Sequence, residues 1–307
     1  MPLSASQGTC AMLRMLRFAR SNLEHRERNP KSAGRHEFRQ LPRVKFTHSR
    51  FLSPFSNSPL RWSALPILLS ALLATAEGTE RRFAYTYETT TTPKGGVELE
   101  NWVTWKRTND AGPSERNFFE FRHEIEFGIT DRLQVGVYLF DWEANAHHEV
   151  QWQHSGVEVI YNLTNASTDF LGSAIYGEVV VGESSIELEG KLLLQKNFGP
   201  FRASYNLVLE GEWEGDRFGR FDERNGEFAQ SLGISYDLTK QVSIGAEVLH
   251  EIPLPDWSDA ADSNVFAGPN ASLRFGRVFV TATALFQLTS VKEEPEAQVR
   301  LITGFEF

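Results

Sequence analysis

From Val97 onward the chain is governed by alternation. In 118–127, Phe119, Phe121, Ile125 and Phe127 share one side with His123, while Glu120, Arg122, Glu124 and Glu126 share the other. A period of two puts one set on each face of a β-strand. The pattern recurs: Ile186, Leu188, Leu192 and Leu194 stand against Glu187, Glu189 and Lys191, and Phe201, Ala203, Tyr205, Leu207 and Leu209 stand against Arg202, Ser204, Asn206, Glu210 and Glu212. Twelve strands are predicted: 97–106, 117–129, 133–141, 153–163, 169–181, 185–196, 201–213, 227–238, 241–250, 264–275, 278–288 and 297–307. No stretch after residue 77 carries a helical period. Most of these strands exceed the ~5–6 residues usual in globular sheets and approach the ~9–11 of a tilted membrane strand.

The connections alternate as well. Short turns such as TDR, NFGP, DLTK and FGR occupy every second position, whereas 107–116, 142–152, 214–226, 251–263 and 289–296 are longer and mostly acidic; the short GES at 182–184 breaks the rule. Short turns on one rim and longer loops on the other are the build of an outer-membrane barrel. Closure removes the sheet edges that would otherwise template aggregation. The predicted fold class is therefore all-β, an antiparallel up-and-down transmembrane barrel over 97–307, closed by the C-terminal strand. A soluble β-sandwich or lipocalin-like binding barrel alternates in the same way and is the competing reading.

The last strand sharpens the choice. Val299, Leu301, Thr303, Phe305 and Phe307 lie on one face, Gln298, Arg300, Ile302, Gly304 and Glu306 on the other. RLITGFEF resembles the C-terminal signal of bacterial outer-membrane barrels. That resemblance implies an assembly signal at Phe307, Phe305 and Leu301, read by the barrel assembly machinery, in a membrane of lipid and lipopolysaccharide. Further upstream, FAYTYETTTTPKGGVELENWVTW is similar to the opening of barrels related to the outer-membrane family linked to meta-cleavage phenol degradation, through Pro93, Lys94, Gly95, Glu98 and Glu100. It implies no particular substrate.

The N-terminal part reads differently. ALPILLSALLATA, residues 64–76, is too short to span a bilayer and follows Arg61, and Ala74 and Ala76 form a small-x-small cleavage site. Residues 61–76 are thus expected to be a signal peptide, with a buried core helix as the alternative. Residues 1–60 are basic and aperiodic, and are expected to be disordered and to lie upstream of the true start, or else to be a basic targeting extension. Residues 77–96 are expected to form a periplasmic N-terminal segment. Removing the 12 basic and three acidic residues before Glu77 from the 31 and 40 of the whole chain leaves 19 against 37, a formal charge of −18. Such a body repels nucleic acid. The one cysteine, Cys10, precedes the cleavage site, so the mature chain does not rest on disulfides.

If the apolar faces meet lipid, the polar faces line a lumen. The predicted lining comprises Glu98, Glu100, Glu120, Arg122, Glu124, Glu126, Glu187, Glu189, Lys191, Arg202, Glu210, Glu212, Glu247, Arg274 and Arg300. An acidic lumen favours cations over anions. The function expected is a small channel for cationic or neutral small solutes; a sealed structural or adhesion-type barrel filled by Glu–Arg pairs is the alternative. Trp102, Trp105, Tyr138, Trp142, Trp152, Tyr176, Trp213 and Trp257 are expected at the membrane interfaces. No catalytic, cofactor or metal site is predicted. His147, His148 and His154 alternate poorly as ligands. His123 has no serine in its strand for lipid hydrolysis, and its place on the apolar face points to a protein contact or a local register change.

Overall fold

A computed structural model describes residues 81–108, 117–145, 150–258, 260–292 and 294–307 of the chain. The expected signal peptide, the basic segment before it, and His147 and His148 lie outside the described residues. Among those described, no helix is long and apolar enough to cross a membrane.

The twelve strands are β1 (Val97–Arg107), β2 (Asn117–Thr130), β3 (Leu133–Asn145), β4 (Gln151–Thr164), β5 (Gly172–Gly182), β6 (Ser185–Phe198), β7 (Phe201–Glu214), β8 (Glu223–Asp237), β9 (Val242–Pro255), β10 (Asn264–Phe275), β11 (Val278–Gln287) and β12 (Ala297–Glu306). Each pairs antiparallel with its chain neighbours, and β12 pairs with β1 from Glu98↔Glu306 to Arg107↔Ala297, which closes the barrel. Several strands run further than the alternation suggests. β9 continues to Pro255, for example, because its ladder with β8 extends through Leu254 and Pro255.

Which face turns inward is settled by burial. In β1, Glu98, Glu100, Trp102, Thr104 and Lys106 are buried, while Leu99, Val103 and Trp105 are partly exposed. Ile175, Val179, Leu188, Leu209, Ile234 and Phe286 are exposed on the outer wall. A polar interior under an apolar coat is the reverse of a water-soluble sandwich or lipocalin. One closed sheet of twelve strands also differs from the two sheets of a sandwich and the eight strands of a lipocalin.

A bulge interrupts β3. His123 pairs with Phe140 but Glu124 with Tyr138, so Leu139 is the extra residue. Leu139 and Phe140 both point outward, and Tyr138 and Asp141 both point inward. The register change foreseen at His123 is therefore carried by the partner strand. The His123 ring itself bonds Asn101 Oδ1 at 2.8 Å across to β1.

Residues 81–92, which fall in the segment expected to be periplasmic, enter the barrel. Phe83, Ala84, Thr86, Tyr87, Thr89 and Thr92 are all buried. The apolar cluster that holds Ala84 and Tyr87 is built from the inner wall: Trp102, Ile160, Ala174, Tyr176, Leu193, Phe279 and Ile302. Twelve strands enclose a lumen wider than the side-chain-filled eight-stranded barrel, and this segment occupies it.

Candidate functional site

The segment is extended but belongs to no sheet, so its backbone polar groups need other partners. Side chains of the wall supply them. Thr281 Oγ1 and Ser272 Oγ donate to the Arg81 carbonyl at 2.6 and 2.9 Å. Asn270 Nδ2 donates to the Arg82 carbonyl at 2.6 Å. The Glu247 carboxylate accepts from the amides of Ala84, Tyr85 and Thr86 at 2.8, 2.9 and 2.7 Å. Asn206 bonds both backbone groups of Tyr87, accepting at 2.6 Å and donating at 2.9 Å, as a neighbouring strand would. Gln195 accepts from the Thr89 amide at 2.7 Å and Gln134 from the Thr92 amide at 2.8 Å.

These partners sit in the half of each strand nearer the short turns. The segment therefore crosses the lumen from β8–β11, past β7 and β6, to β4 and β3. It then leaves through a turn closed by Gly96 N–H donating to the Pro93 carbonyl at 2.8 Å; Gly95, at φ 80°, supplies the left-handed residue. Close approach to the wall also requires Gly233, where a Cβ would lie 2.6 Å from the Phe83 ring.

Charge reinforces the fit. Arg81 bonds Glu100 at 2.9 Å and lies over the rings of Tyr87 and Trp102, 4.7 and 4.5 Å from their centres. Burial alone would lower the Arg81 guanidinium; Glu100, Glu126 and Glu124 around it outweigh that and hold it well above its usual value. Arg82 pairs with Asp237 at 3.0 Å.

Many of the predicted lining residues are paired. Lys106 meets Glu120 at 2.8 Å, Lys191 meets Glu189 at 2.7 Å, Arg122 meets Asp141 at 2.8 Å and Arg274 meets Glu306 at 3.2 Å. Arg202 pairs with Asp237 at 3.4 Å, and Arg300 stacks on Tyr85 at 4.2 Å. Glu98, Glu126, Glu187 and Glu247 are buried in the wall; Glu210 and Glu212 are half-buried. His154 Nδ1 lies 3.0 Å from Asp141 Oδ2. Trp102, Tyr138 and Tyr176 are not interfacial: they are buried in the lumen, where Tyr176 meets Tyr87 edge to face at 5.1 Å. Trp142, Trp152 and Trp257 remain exposed outside. Leu301 and Phe307 are exposed, and Phe305 packs edge-on against Phe307 at 5.0 Å.

On the long-loop side of the segment a cavity of about 120 Å³ remains, with Tyr85 in its floor. Its wall carries Glu189, Glu210, Glu227, Glu251 and Glu294 against Lys106, Lys191 and Arg300.

A family model covers residues 75–303, which takes in the lumen segment and nearly the whole barrel. The chain belongs to the family of unknown function DUF6662. No curated protein matches it. Among solved structures, this DUF6662 member is similar to the COG4313 outer membrane channel from Pseudomonas putida F1, at 14% identity and TM-score 0.50, over 73% of this chain and 100% of that one. It is also similar to the NanC porin, at 9% identity and TM-score 0.45 over 68% and 98%. The translocator domain of the autotransporter NalP from Neisseria meningitidis matches at 10% identity and TM-score 0.44 over 80% and 95%. The fold is thus that of a bacterial outer-membrane β-barrel.

Proposed function

We propose that this protein is an outer-membrane channel for small cationic or neutral solutes, and that residues 81–92 set its conductance from inside the lumen. The observation that carries the reading is the way the segment is held. It is fastened by individual side-chain bonds and ion pairs rather than by a strand ladder, so it can be released without unzipping the wall. The cavity beyond it has five acidic residues against three basic ones, which favours cation entry. Planar-bilayer recording tests both halves. The full chain is expected to show small cation-selective steps, and a variant lacking residues 81–92 to show larger ones. Silence from both proteins would reject the channel in favour of a sealed barrel, and equal steps from both would reject the part given to residues 81–92.

A further inference from the structure

We propose that Glu100, Glu124, Glu126 and Glu158 bind a hard divalent cation, calcium in particular, beneath the lumen segment. The site is independent of conduction: a sealed barrel would hold the ion equally well.

Glu100 on β1 stands directly opposite Glu124 on β2, and Glu126 follows two residues on, on the same inward face. One oxygen from each of the three lies within 4.8 Å of the others. Like charges facing each other across a ladder destabilise it. The trio is nevertheless buried, Glu124 completely so. Arg81 engages one oxygen of Glu100, and Thr92 Oγ1 donates to one oxygen of Glu126 at 3.0 Å. Neither oxygen of Glu124 has a hydrogen-bond partner among the described residues.

A fourth carboxylate, from another strand, points the same way. Glu158 on β4 is 0% exposed, and its Oε1 also lacks a partner among the described residues. Its carboxyl carbon and Glu124 Oε1 flank Gly136 from the same side: a Cβ there would lie 3.1 Å from the first and 2.1 Å from the second. A cavity of about 30 Å³, lined by Glu100, Glu126, Gln134 and Thr90, adjoins the cluster. That exceeds the ~10–15 Å³ needed for one water-sized sphere.

The choice of ion follows from the donors. A cage made of protein carboxylates suits calcium, which accepts ~6–8 oxygens in flexible geometry, better than magnesium, which keeps several of its waters. An all-oxygen, multiply charged donor set disfavours the softer transition metals. Such an ion would join β1, β2 and β4 under the segment and compete with Arg81 for Glu100.

Trp102 offers a reporter, since its Nε1 donates to Glu100 Oε2 at 2.6 Å. The full chain, refolded in micelles and stripped with a chelator, is titrated with Ca²⁺ alone by calorimetry and with Tb³⁺ alone by tryptophan-sensitised emission. One saturable site is expected, with Ca²⁺ displacing the Tb³⁺ signal. Glu124→Gln should weaken binding by at least about tenfold, because affinity follows ligand charge. Arg81→Gln should tighten it, and Glu183→Gln, in an exposed turn, should leave it unchanged. If Glu124→Gln does not refold, Glu126→Gln carries the same test. A wild-type chain that binds no ion saturably, or unaltered binding in the refolded Glu124 or Glu126 variant, overturns the site.

Discussion

Glu247 shows what one residue can decide. Its carboxylate takes three consecutive backbone amides of the lumen segment, a set that no other wall residue matches among the described residues. Glu247→Ala would leave three buried donors to find water, at about 1–3 kcal/mol each if they fail. The segment should loosen while the wall, held by its ladders, stays intact. Hydrogen exchange followed by mass spectrometry should show faster exchange over residues 81–92 and unchanged exchange in the strands, with Glu247→Gln in between because it keeps one acceptor oxygen. Equal protection of 81–92 in all three proteins would mean that Glu247 is not the anchor. The alternation places Glu247 on the polar face. It does not reveal the role, because the partners lie 161 to 163 residues away in sequence.

Among the elements, β3 departs most from simple alternation. Leu139 is an inserted residue: Tyr138 and Asp141 both face the lumen with two outward residues between them. Deleting Leu139 would therefore restore regular pairing with β2 around His123 and Glu124 and leave both inward residues in place, including the Asp141–Arg122 pair at 2.8 Å; the separate irregularity against β4, between Asp141 and Trp142, would remain. Deleting Val137 would instead send Tyr138 to the lipid face, since a one-residue slip inverts every side chain beyond it. The Leu139 deletion should refold to a compact barrel, and the Val137 deletion should not, as judged by gel migration without boiling. Two barrels of equal resistance would show that the bulge does not set the facing of β3. The sequence hint was slight: two apolar residues side by side, Leu139 and Phe140, where the period calls for one.

For the whole molecule, closure is what confers resistance. β1 and β12 pair along ten positions across nearly the full chain of strands, so every strand has two partners and no edge is left to fray. The refolded protein should migrate as a compact species in SDS until boiled and then shift to its full mass; migration unaffected by boiling would count against a closed barrel. Removing residues 81–92 should leave this shift in place, because the ladders do not depend on the segment.

The sequence by itself determined the strands, their order and the facing of most side chains, because side-chain direction along a strand is a local property of period two. That is why Glu98, Glu126, Lys191 and Arg300 could be assigned to one face before any contact was known. It also contained a weaker trace of the lumen packing, in apolar residues set on the polar face such as Ile302 and Leu193, which prove to grip Ala84 and Tyr87. Only the tertiary structure decided that the polar face is the inside, that Trp102, Tyr138 and Tyr176 turn away from the interface, and that residues 81–92 lie within the barrel. Each of these depends on contacts between separate parts of the chain, 19 residues apart for Arg81 and Glu100 and 163 for Ala84 and Glu247, or on the curvature that closes the sheet. A period of two is the same on a flat sheet and a closed one, so no local pattern can carry that information.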